Sequence, residues 1–146
     1  MIHAGEFREG KHHFPVRVYY SDTDAGGIIY HGRYLDMAEH ARTELFRHIG
    51  GDQKELIDKS NLAFVVRSLT VDYLKPGHLD DELEVVTTIT KREVFSLVFQ
   101  QDIYLGDEII CALTVKAASV NLETGRPVPM DKEWGDVLVQ KIGRSI

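Results

Sequence analysis

YYSDTDAGGIIYHGRYLDMAEHARTELFRHI (Tyr19–Ile49) divides into a loop and a helix. In its second half, Tyr34, Ala38, Ala41, Leu45 and Ile49 recur at spacings of four and three, and Met37 widens the stripe. Asp36, Glu39, Arg42 and Glu44 fall largely off it. That period predicts a helix with one buried face, and Gly50-Gly51 supplies its stop. In the first half, Ser21 to Gly27 combines two acids with paired glycines, a composition that turns the chain and lets backbone approach a ligand closely.

Outside this segment the period changes from about four to two. Val16, Val18 and Tyr20 alternate with Arg17 and Tyr19, predicting a strand from Phe14 with Pro15 at its start. Residues 1–13 are polar and are expected to form a flexible terminus. The His12-His13 pair lacks the spacing to a second ligand pair that a metal site requires. After the helix, DQKELIDKSN (residues 52–61) reads as a short polar helical segment. Four strands follow: one through Ala63, Val65, Leu69, Val71 and Tyr73, the next through Leu83 to Ile89, a third through Phe95 to Ile103, and a fourth through Cys111 to Ala117. Lys75-Pro76-Gly77 and Gly106-Asp107 mark turns. Met130 to Lys141 predicts a terminal helix carrying Trp134 and Val137. A long helix followed by successive antiparallel strands is an α+β architecture of about five strands.

The composition limits what such a domain does. With 146 residues and 43% hydrophobic content the chain supplies one core, so a single domain over residues 1–146 is expected. A net charge of −6 argues against general nucleic-acid binding. No apolar run reaches the roughly 18 residues of a membrane span, and no signal peptide is legible, so a cytoplasmic protein is expected. Cys111 lies in an apolar strand pattern, where it reads as a small buried filler.

The chemistry concentrates where the loop meets the helix. Asp22 and Asp24 suit turn hydrogen bonding, and they lack the further ligands of a calcium loop. The segment Ile28 to Arg33 offers no Ser, Thr, Asp or Asn to cap the helix, although its first N–H groups need an acceptor from outside. A ligand oxygen can be that acceptor: amides at the positive end of a helix stabilise an oxygen that gains negative charge as its carbonyl is attacked. A carboxylate held just upstream can then serve as nucleophile or as general base for water.

The tyrosine pair, the DTDAGG turn, the YH dipeptide and the ExAR of the helix fall in one register that resembles the 4-hydroxybenzoyl-CoA thioesterase family of hotdog-fold enzymes. The likeness is strongest to members associated with the bacterial Tol–Pal system, runs on through AFVVRSLTVDYLKPGHLDDELEV and weakens after about Asn121. It implies a sheet wrapped around one long central helix, homodimers joined edge to edge and often homotetramers, and hydrolysis of acyl-CoA at sites on the dimer interface without cofactor or metal. An acyl carrier protein is a second source of thioester. By the same likeness Asp24 is the catalytic carboxylate, His31 offers its backbone N–H and its ring at the helix start, and Tyr20 completes the site. Some hotdog thioesterases use a helix carboxylate instead; Glu39 is expected to face solvent or to pair with Arg42. Two other readings follow from the same fold: a dehydratase, and a non-catalytic binder of an acyl carrier protein or a cell-envelope partner. Lys75, Lys91, Arg92 and Arg126 are expected on a solvated surface. Arg67 interrupts the apolar side of its strand and is expected to take a structural role, bonding across a dimer, rather than to contact the CoA arm.

Overall fold

The computed structural model describes residues 3–49, 62–143 and 146. Its six strands are β1 (Glu6–Arg8), β2 (Lys11–Arg17), β3 (Leu62–Tyr73), β4 (Glu82–Arg92), β5 (Ser96–Leu105) and β6 (Glu108–Asn121). They form one antiparallel sheet in the order β1-β2-β4-β5-β6-β3. Two helices are described, α1 (Arg33–His48) and α2 (Lys132–Ile142). The 52–61 segment and Gly50-Gly51 lie outside the described residues.

The helical period does what it predicts. Tyr34, Met37, Ala38, Ala41 and Leu45 of α1 are buried, joined by Phe46, in one core with Val85 and Ile89 of β4, Phe99 and Ile103 of β5, and Leu113 and Val115 of β6. Each large side chain enclosed there contributes roughly 1.5–3 kcal/mol. Phe46 also meets Trp134 of α2 edge-on at 5.2 Å. α2 is capped by Asp131, whose carboxylate accepts the Trp134 N–H at 2.8 Å. Cys111 is fully buried, and desolvation pushes its thiol up to about 12.

The expectation of a flexible N-terminus is corrected by the β1–β2 hairpin, which adds a sixth strand to the sheet. Its pairs run from Glu6↔His13 to Arg8↔Lys11. The pattern was hidden because the residue that anchors it is a histidine: His12 is fully buried, with its ring 5.3 Å from that of Phe7 and 5.9 Å from that of His48. β1 reaches only as far as His13, so Pro15 sits within β2 where no described strand on that side needs its missing N–H.

His12 makes the hairpin acid-sensitive. Its Nε2–H donates to the Ala4 carbonyl at 3.0 Å, and Nδ1 has no partner among the described residues. A proton there would create a charged donor in a dry site. Desolvation first, then repulsion from His48 and His13, lowers its pKa to about 4, offset in part by the Ala4 bond. The fold therefore holds His12 neutral. Its contribution is complete above the ordinary value of 6.5 and is lost as pH falls from there to about 4, on the order of 3 kcal/mol in full. Urea denaturation at pH 7 and pH 4.5 is expected to show this loss, and His12→Phe is expected to flatten the profile. An unchanged slope in the variant would remove His12 as the cause.

The other edge differs from its predicted alternation. In β3, Val65, Val66, Leu69 and Tyr73 are each at least 40% exposed. A bulge at Arg67 shifts the register between Val66 and Ser68, and as the outermost described strand β3 pairs, among the described residues, only with β6. No described helix is long and apolar enough to cross a membrane.

Candidate active site

β2 ends at Arg17, and the Asp80 N–H donating to the Val18 carbonyl at 2.9 Å ties the exit of the strand to the turn before β4. Tyr20–Asp22 then forms one 3-10 turn. Tyr20 leaves the strand pattern in which it was expected and stands 82% exposed. The Asp22 carboxylate accepts the Tyr19 N–H at 2.9 Å, and its carbonyl accepts the Tyr30 N–H at 2.9 Å. Asp22 thus closes the base of the loop.

Above that base the chain reverses. The Asp24 N–H donates to the Ile28 carbonyl at 3.0 Å, and the Gly27 N–H returns to the Asp24 carbonyl at 3.0 Å. Gly27 takes φ +72, a left-handed conformation that favours glycine there. The side chain of Asp24 is exposed, with Oδ1 accepting the Gly26 N–H at 3.2 Å. The loop is pinned to the β3–β4 connection by the Ile29 N–H donating to Gly77 at 2.9 Å and the Leu79 N–H donating to Gly27 at 3.2 Å. Gly77 has no room for a Cβ, which would collide with the Ile29 side chain.

Helix α1 starts at Arg33 with Gly32 as its N-cap and no side-chain cap. Arg33 N–H donates to the Tyr30 carbonyl at 2.9 Å and Leu35 N–H to the Gly32 carbonyl at 3.2 Å. The N–H groups of Gly32 and Tyr34 meet no acceptor among the described residues. The His31 ring is exposed and lies 4.5 Å from the Tyr30 ring and 6.2 Å from that of Tyr73. Asp24 is therefore carried within a closed loop whose base joins Asp22 to Tyr30, and His31 follows that base directly. No hydrogen bond joins the side chains of Tyr20, Asp24 and His31 to one another among the described residues. Beside the loop runs a groove of about 500 Å³ lined by Arg17, Tyr19, Asp22, Arg33, Asp36 and His40, among others.

The remaining candidates separate from this centre. Glu39 is exposed beside Thr43, while Arg42 turns inward to Gln101 instead of pairing with it. Lys75, Lys91 and Arg92 face Glu108, Glu93 and Asp136 at 2.8, 3.9 and 2.8 Å. No group of three metal-ligating side chains occurs among the described residues.

Three residues of the site were not singled out from the sequence as such. Tyr34 reads there as one member of the helix stripe, yet its buried hydroxyl accepts the Gly77 N–H at 3.1 Å. Gly77 reads as a turn. Tyr73 reads as the end of a strand, and its hydroxyl donates to the His31 carbonyl at 3.1 Å. Burial, as the leading cause, raises the pKa of both phenols, so each keeps its proton at neutral pH.

Comparison with known proteins places the chain in a family. The thioesterase superfamily model matches residues 26–112, a span that holds His31 and Tyr73 and begins two positions after Asp24. Acyl-CoA thioesterase YbgC of Haemophilus influenzae is 43% identical over 120 residues, covering 82% of this chain and 88% of that protein. Acyl-CoA thioesterase YbgC of Helicobacter pylori is 33% identical over 131 residues, covering 84% and 96%. Among solved structures, a probable thioesterase from Bartonella henselae superposes with a TM-score of 0.79 at 31% identity, over 83% of this chain and 99% of that one.

Proposed function

The chain belongs to the thioesterase superfamily and is an acyl-CoA thioesterase, and we propose that Asp24, His31 and Tyr20 carry its reaction. The observation that supports this assignment is the uncapped start of α1 directly after the closed loop that presents Asp24. The thioester carbonyl docks on the free amides at the helix start, where the developing oxyanion meets fixed donors and the positive end of the helix. Asp24 attacks the carbonyl carbon, expelling CoA as its thiolate and leaving a mixed anhydride that water then hydrolyses to free acid and Asp24, or it takes a proton from a water that attacks the carbonyl carbon and expels CoA directly. The His31 ring orients substrate and water, and Tyr20 offers its phenol at the mouth of the site.

The working protein is a homodimer or homotetramer. The exposed apolar side chains of β3 and its edge, which is unpaired among the described residues, support edge-to-edge pairing of two sheets, since a long open apolar edge is otherwise an aggregation hazard. The likeness to Tol–Pal-associated thioesterases supports a single cytoplasmic hotdog domain acting with that system. Acyl carrier protein esters join acyl-CoA as candidate substrates.

A panel of acyl-CoAs and acyl carrier protein esters, read by release of free thiol, tests the activity. Release from at least one CoA ester is expected, and silence across the panel would turn the reading towards a binding role.

A further inference from the structure

We infer that Tyr73 is a positioning residue for the oxyanion site, a role that rests on the reading of that site given above. Tyr73 is the last residue of β3, and its hydroxyl reaches across 42 positions of sequence to the His31 carbonyl at 3.1 Å. That carbonyl shares one planar trans peptide with the N–H of Gly32, and the two groups point in opposite directions. Holding the carbonyl therefore sets the direction of the Gly32 N–H. That N–H is the one at the helix N-cap, and it has no acceptor among the described residues. A bond donated to the carbonyl also polarises the amide and strengthens its N–H as a donor.

The ring of Tyr73 is itself held. It lies edge-on to the ring of Tyr34, with centroids 5.7 Å apart, and edge-on to that of His31 at 6.2 Å. Tyr34 is anchored in turn by the Gly77 N–H at 3.1 Å, and the Gly77 carbonyl takes the Ile29 N–H at 2.9 Å. Two tyrosines thus grip the segment Ile29 to Gly32 from its flank, one through Gly77 and one through the His31 carbonyl. Only the second acts on the peptide whose amide faces the substrate oxygen. Tyr73 does not itself touch the reacting atoms in this scheme.

Tyr73→Phe keeps the ring contacts and removes only the donor. It is expected to lower kcat about 10-fold, less than loss of an oxyanion donor itself, with KM within twofold of wild type. In protein labelled with 15N-glycine, the Gly32 amide resonance is expected to move while those of Gly106 and Gly125, in distant turns, stay in place. A purely structural role would lower the melting temperature and leave the Gly32 resonance of the folded variant where it was; that result overturns the proposal. Asp24→Asn is assayed alongside. Wild-type kcat in Tyr73→Phe together with an inactive Asp24→Asn removes Tyr73 alone. An active Asp24→Asn removes the site reading and this role with it.

Discussion

Asp24→Asn folds like the wild type and loses turnover by on the order of 10³-fold, within the range that a positioned acid or base contributes. Both halves of this expectation come from the loop. The carboxylate Oδ1 accepts the Gly26 N–H, and the remaining loop bonds near it are made by backbone groups, from Asp24 to Ile28 and from Gly27 to Asp24. An asparagine keeps an oxygen for Gly26 and leaves those backbone bonds untouched. What it removes is the negative charge, and with it the nucleophile or base. Steady-state kinetics on the best acyl-CoA, beside a thermal melt, checks both halves; full turnover in a folded variant would sink the assignment. In a single turnover of the wild type in H₂¹⁸O, label entering the Asp24 carboxyl marks the anhydride route.

Gln101→Leu is expected to cost about 3 kcal/mol, the lower end of the range for leaving a buried charge without its partner. Gln101 is fully buried on β5 and completes three bonds. Its Oε1 accepts from Arg42 at 2.8 Å, while its Nε2 donates to the Ala38 carbonyl and the Thr87 hydroxyl, each at 3.0 Å. Burial lowers the pKa of Arg42, opposed by the attraction of Glu39. Leucine fills a similar volume but strands the guanidinium and takes the donor from the Thr87 hydroxyl, while the Ala38 carbonyl keeps its bond within the helix. At roughly 2–4 °C per kcal/mol for a chain of this size, the melting temperature falls by about 6–12 °C. A loss under about 1 kcal/mol in urea denaturation would mean that Arg42 finds another partner on leaving Gln101. Because Ala38 lies on α1, this network also ties the helix that carries the site to the centre of the sheet.

Much of this protein was determined by the sequence alone, wherever the cause is local. The stripe from Tyr34 to Leu45 defines α1 because residues three and four apart share a helix face. The missing N-cap is legible because capping is decided within a few residues. The loop from Asp22 to Gly27 is legible for the same reason, since Asp and Gly carry their turn chemistry with them. Only the tertiary structure decided the rest. His12 counts as polar until Phe7 and His48 enclose it, and Tyr20 alternates like a strand residue until the chain turns beneath it. The inward turn of Arg42 depends on Gln101, 59 positions away, and the grip of Tyr73 on His31 spans 42. Side-chain period reports which face of an element is apolar; it carries no record of which distant donor meets which carbonyl, and that pairing is set by the order of strands in the sheet.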